Sequence, residues 1–206
     1  TPGGYCELWE SKDLAQEKFF DFRDVKPQDS GSNLISMTVS SNEAYMCLNV
    51  ANKQEQENGL IDPEAAAGDG TPGLLEGELG QFLHVVGWRS DSNGNKIGAP
   101  LFGPTKAANL GAITYADSLT LPAVQPNVTQ YIHLEWCMGD MTLNGNVVTC
   151  NGNVPNINRS QTDAFLADLQ FYAVQTRNNQ NFTCAGQFPS PEQPPVLEPF
   201  SSEESE

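Results

Sequence analysis

Asp91, Asn93 and Asn95 place oxygen-bearing side chains at alternate positions around Gly94 in the stretch Asp91-Ser92-Asn93-Gly94-Asn95. Calcium takes about 6–8 hard oxygen ligands at roughly 2.3–2.6 Å, and calcium loops use such alternation with a glycine at the sharp turn. Position 102 is Phe102, so the bidentate glutamate of an EF-hand is missing. The competing reading is a plain Asn-Gly hairpin loop between Trp88 and Leu101. Calcium at Asp91, Asn93 and Asn95 is thus the one cofactor candidate, and no other cofactor is expected.

Catalytic chemistry has little to stand on. The chain holds no His-Glu-x-x-His, no Gly-x-Ser-x-Gly and no nucleotide-binding glycine loop. Its two histidines, His84 and His133, each fall inside an expected strand and read as packed or interstrand residues. Carboxylate pairs are plentiful, but in so acidic a chain they read as solvated surface. The expectation is a protein that is not an enzyme.

The five cysteines, Cys6, Cys47, Cys137, Cys150 and Cys184, contain no Cys-x-x-Cys pair, which argues against structural zinc. Two disulfides in an exported protein are the better reading. Cys137 and Cys150 flank the Asn144-Gly145 turn signal of one expected hairpin. They are diagonal rather than opposite if the turn has two residues, which calls for a bulge or a longer loop. Cys47 lies mid-strand and Cys184 directly follows the last strand, so these two form the second pair and Cys6 is left over. Thr1-Pro2-Gly3-Gly4 has neither a basic nor an apolar leader region, so a form with its signal peptide already removed is expected. Sequons at Asn127, Asn158 and Asn181 are about as many as composition gives by chance and decide nothing about glycosylation.

Composition narrows the partners. The 206 residues carry 26 Asp and Glu against 10 Lys and Arg, a net charge of −16. The basic residues are scattered singly from Lys12 to Arg177, which excludes the phosphate-neutralising patch of a nucleic-acid binder and a polybasic membrane anchor. No stretch approaches the roughly 18 apolar residues that span a bilayer, so membrane insertion is not expected. The length suits one domain over residues 1–186, with an N-terminal extension at 1–18, followed by a Pro/Ser/Glu-rich tail at 187–206.

The elements that must position these residues are mostly strands. Asn-Gly occurs at 58–59, 93–94, 144–145 and 151–152, the favoured sequence of two-residue hairpin turns. Period-two alternation marks Leu34–Ser40, with Ile35, Met37 and Val39 on its apolar side, and Ala44–Ala51. Phe82–Trp88, Val128–Cys137 and Phe165–Thr176 are rich in aromatic and β-branched residues. Helix signals are confined to Ser11–Phe19 and to a short turn with Asp62 as cap and Pro63 first. Many short strands predict an all-β, jelly-roll-like sandwich with short helical insertions and an extended C-terminal tail.

Six separated stretches fall in a recognisable order: Trp9–Leu14, Phe19–Asp29 with its Val25-Lys26-Pro27-Gln28-Asp29 turn, Ala44–Cys47, Glu76–Leu79, Glu135–Gly139, and Gln161–Asp163 through Gln175–Asn179. Together they resemble the TasA and camelysin-like exported proteins, most closely the cysteine-containing members from environmental bacteria. The resemblance implies a jelly-roll subunit of an extracellular filament, cell-surface coat or biofilm matrix, joined head to tail to copies of itself by strand donation. Gln28 stands where the family usually has glycine, and the family's usual first strand precedes Thr1. The segments expected to reach a neighbour are the two chain ends, with Tyr5, Leu8 and Trp9 in one and Val196, Leu197 and Phe200 in the other. The alternative is a monomeric secreted adhesin or carbohydrate-binding sandwich using Trp88, Tyr131 and Trp136.

Overall fold

The computed structural model describes residues 20–188 apart from positions 24, 72 and 121, and residues 20–23 as backbone only. Tyr5, Cys6, Leu8, Trp9, the expected helix over 11–19, Val196, Leu197 and Phe200 lie outside the described residues.

Among the described residues ten strands follow one another: β1 (Phe20–Arg23), β2 (Ser30–Met37), β3 (Ala44–Gln56), β4 (Leu83–Ser90), β5 (Lys96–Lys106), β6 (Ala112–Ala116), β7 (Gln130–Met138), β8 (Asp140–Asn144), β9 (Val147–Asn151) and β10 (Ala164–Gln175). One antiparallel sheet has the order β1-β10-β3-β6 and the other β2-β7-β4-β5. With the β8–β9 hairpin set aside, the pairing is nested: first strand with last, second with seventh, third with sixth, fourth with fifth. An antiparallel ribbon rolled over on itself gives this pattern, which is the jelly roll.

Alternation is what lets two sheets close on each other. Met46, Leu48, Val50 and Phe165 of one sheet and Ile35, Met37, Val85, Ile132 and Leu134 of the other belong to one buried apolar cluster. Burial of each such side chain contributes roughly 1.5–3 kcal/mol. Leu34 and Ser36, on the other side of β2, face solvent as their alternation requires. β2 stops at Met37 rather than running to Ser40, and β7 begins at Gln130 rather than Val128. Met37 and Gln130 are the last register pair, and the left-handed Asn127 (φ 59°) turns the chain just before it.

Each sheet is also covered on its outer face. The β8–β9 hairpin forms a second apolar cluster in which Met141, Leu143 and Val148 pack with Val86 and Trp88. On the other sheet, Phe182 stacks on Tyr45 and Tyr172 at ring separations of 5.9 and 6.0 Å. A disulfide fixes each cover: Cys137–Cys150 holds the hairpin, and Cys47–Cys184 holds the segment after β10. These are the two pairs read from the sequence.

The hairpin differs in detail from its expectation. Cys137 lies in β7, not in the hairpin, and Met141 is the residue opposite Cys150. Gly139, between β7 and β8, has φ 133°, and a Cβ there would collide with the Asn151 carbonyl, so only glycine makes the turn that brings Cys137 back to Cys150. Asn144 pairs with Val147, which makes Gly145-Asn146 the loop, with positive φ at Gly145 alone. That is the type II′ pattern rather than type I′.

Two short α-helices are present among the described residues, α1 (Asp62–Ala66) and α2 (Leu79–Phe82). Pro63 sits in the first turn of α1 as expected, but the cap is Ile61, because the Glu64 carboxylate reaches back to accept the Ile61 N–H at 2.7 Å. No helix among the described residues is long and apolar enough to cross a membrane.

Candidate metal centre

At one end of the β3–β10 ladder the last register pair is Gln56 with Ala164. One residue further on, β3 gives way to Glu57 and β10 is preceded by Asp163, and both are buried, at 5 % and 1 % exposure. Glu78, the residue before α2, completes the group. A carboxylate oxygen of each lies within 4.8 Å of the other two.

Local structure forces this convergence. Gly77 runs so close to the strand end that a Cβ would sit 2.8 Å from the Gln56 carbonyl and 3.1 Å from Asp163 Cγ. The Glu78 N–H then donates to Asp163 Oδ2 at 2.6 Å. Asn58-Gly59, read from the sequence as a hairpin turn, serves this end of the ladder instead. The Gly59 N–H donates to Glu57 Oε1 at 2.7 Å, and Asn58 Nδ2 donates to the Thr162 carbonyl at 2.8 Å. Arg159 Nη2 donates to Glu78 Oε1 at 2.9 Å.

One oxygen of each carboxylate is thereby engaged. The others, Glu57 Oε2, Glu78 Oε2 and Asp163 Oδ1, are buried without a hydrogen-bond partner among the described residues. A carboxylate oxygen in that position costs about 1–3 kcal/mol or more unless a proton or cation meets it. Burial pushes the Asp163 carboxyl up to about 7, and the charges of Glu57 and Glu78 add to the rise. Glu78 is raised as well, by burial first and then by Asp69, against the pull of Arg159. Glu55, two residues before Glu57, is pushed up to about 7 by burial although it accepts the Gly80 N–H at 2.9 Å. An all-oxygen, acidic donor set without histidine or cysteine suits a hard cation and not zinc or copper.

The sequence missed this centre. Its three residues are far apart in the chain, and carboxylates in so acidic a sequence read as solvated surface, whereas Glu57 and Asp163 are inside. Two of the stretches that carried the family resemblance, Glu76–Leu79 and Gln161–Asp163, meet here.

The calcium-like loop of Asp91, Asn93 and Asn95 joins β4 to β5. Asp91 Oδ1 accepts the N–H groups of Asn93 and Asn95 at 2.8 and 2.9 Å, and Oδ2 accepts Asn95 Nδ2 at 2.6 Å. The Asn95 side chain thus turns a donor, not an oxygen, toward Asp91. These hydrogen bonds, that of the Asn95 side chain first, hold the Asp91 carboxyl below its ordinary range, and they spend its oxygens on the turn.

Both histidines are tied to their surroundings. His84 Nδ1 is 2.6 Å from the Gly139 carbonyl, and His133 Nε2 is 3.0 Å from Glu135 Oε1. Trp88, offered as a sugar platform, is fully buried under Lys96, whose Nζ lies 4.0 Å from the ring centre. Trp136 is half-buried, its ring within 2.9 Å of where a Cβ on Gly31 would stand.

Comparison with protein-family models gave no matching family, and a search of curated proteins gave no match.

Proposed function

We propose that the chain is a structural subunit of an extracellular filament or cell-surface coat, and that neighbouring copies join by strand donation at a sheet edge. The observation that carries this reading is the pair of four-stranded sheets, whose end strands among the described residues are β1 and β6 in one and β2 and β5 in the other. The outer backbone N–H and C=O groups of an end strand are a template for another strand.

A groove of about 300 Å³ opens between the β2–β3 connection and the end of β10, lined by Thr38–Asn42, Ala44, Ala173 and Gln175. The family resemblance supports the same reading, and two disulfides suit an oxidising compartment outside the cell. The N-terminal segment bearing Tyr5, Leu8 and Trp9 is the donor, and the tail bearing Val196, Leu197 and Phe200 lies on the neighbour. A contact of this heterologous kind extends into a filament instead of closing. The carbohydrate-binding alternative is weakened because Trp88 is buried.

The test is electron microscopy of the exported chain and of chains lacking residues 1–9 or 187–206. Filaments from the intact chain, lost on deleting residues 1–9, are the expected result. Normal filaments from both truncated chains would remove the chain ends from the contact.

A further inference from the structure

We propose that Glu57, Glu78 and Asp163 bind one calcium ion, which ties the end of β3, the loop before α2 and the start of β10 together. The inference stands apart from the assembly reading and needs no neighbouring subunit.

Proximity of acids alone is not the argument. Asp163 is 99 % and Glu57 95 % buried, taking exposures of 1 % and 5 % from the whole, and each has an oxygen with no partner among the described residues. A carboxylate oxygen of one lies within 4.8 Å of a carboxylate oxygen of the other. Two carboxylates can both accept but neither can donate, so something positive must lie between them. A shared proton or a metal ion meets that need. The proton serves two oxygens and leaves Glu78 Oε2 unmet, whereas one ion serves all three.

The dimensions agree with the larger cation. Ligand oxygens across a calcium ion are separated by up to about 5 Å, twice its bond length, and the three carboxylates supply oxygens within 4.8 Å of one another. Magnesium has shorter bonds and keeps several waters, which the burial of Glu57 and Asp163 disfavours. The charge balance points the same way. Asp69, buried and interacting with Glu78, adds a further carboxylate to Glu57, Glu78 and Asp163, against the Arg159 guanidinium. Asp69 Oδ1 accepts the N–H and hydroxyl of Thr71 at 3.0 and 2.8 Å, while its Oδ2 is buried without a partner among the described residues.

The experiment uses the full chain, stripped with chelator and then titrated with calcium chloride or magnesium chloride. Equilibrium dialysis reads stoichiometry, and thermal unfolding by circular dichroism reads stabilisation. One calcium per chain is expected, with the melting temperature rising by about 5–10 °C at a calcium concentration 100-fold above Kd. D163N and E57Q should each abolish both effects, and D91N should retain them. The amide variants keep side-chain volume and relieve repulsion between the acids, so their metal-free melting temperatures should equal or exceed that of the parent. No stoichiometric calcium on the parent chain overturns the proposal, whatever the variants do. Binding lost in D91N but kept in D163N moves the ion to the Asp91 loop, and equal stabilisation by magnesium overturns the choice of calcium.

Discussion

Glu57 and Asp163 face each other one step beyond the last backbone pair of the β3–β10 ladder, two buried acids where a cross-strand pair would stand. Like charges placed opposite on neighbouring strands destabilise a sheet. Burial aggravates the repulsion, because the water that would screen it is excluded. The jelly roll brings the two strands together in any case, since its last strand lies between its first and third. The acids are therefore a charge problem created by the fold, and the loop carrying Glu78 closes over it.

Gly77 sets how closely that loop approaches. Gly77→Ala puts a methyl group 2.8 Å from the Gln56 carbonyl, which is backbone, and 3.1 Å from Asp163 Cγ, so both must shift to admit it. The expected cost is about 1–3 kcal/mol by urea unfolding, with calcium affinity lowered because Glu78 is displaced. An unchanged affinity and stability would show that the loop adapts.

Asp117 ties the segment after β10 to the end of β6, its Oδ2 accepting the Cys184 N–H at 3.3 Å. Its carboxylate is buried, which would raise its pKa. The Thr120 hydroxyl and the N–H groups of Leu119, Cys184 and Thr120 outweigh burial and hold it below the ordinary 3.8. A depressed folded-state pKa contributes stability that is complete above the unfolded value and lost as pH falls through the folded one. The parent should lose stability as pH drops below about 4, and Asp117→Asn should shallow that slope. Equal slopes in urea unfolding across this range would contradict the assignment.

The two disulfides should differ in weight and in access. Cys47 and Cys184 are buried and 137 residues apart, while Cys137 and Cys150 are 13 apart with Cys150 half-exposed. Chain entropy puts their contributions near 5 and 3 kcal/mol. Mild reductant should open Cys137–Cys150 first, freeing the hairpin from Trp88 before the sandwich unfolds. Alkylation of Cys47 and Cys184 ahead of Cys150, read by mass spectrometry, would reverse this order.

Lys96 joins three partners at the outer sheet face: the Trp88 ring, Glu135 Oε1 at 2.7 Å and the Asn146 carbonyl at 2.7 Å. Its side chain is mostly buried, so the pair is stronger than an exposed one. Lys96→Gln should destabilise by about 1–2 kcal/mol and alter Trp88 fluorescence. A change under about 0.3 kcal/mol would mean the contacts carry little.

The strands could be read in advance because their pattern is local. Ile35 and Met37 alternate with Leu34 and Ser36, and the alternation survives folding unchanged. Both cysteine pairs could be read from the strands that hold or precede them. Phe82 could not be separated from its strand, since whether an apolar residue ends α2 or starts β4 depends on the turn before it. The acidic centre was hidden for a stronger reason: Glu57, Glu78 and Asp163 meet only because a ladder across 107 residues ends at Gln56 and Ala164, as the interval from 57 to 163 inclusive shows. Neither spacing nor composition encodes that register.

Sedimentation velocity on the full chain across increasing salt and calcium reads directly whether it assembles with copies of itself. A charge of −16 per subunit opposes association, and screening relieves it. Polydisperse, rapidly sedimenting species that grow with ionic strength and vanish when residues 1–9 are deleted are the expected result. A single monomer boundary at every salt and calcium concentration would contradict it.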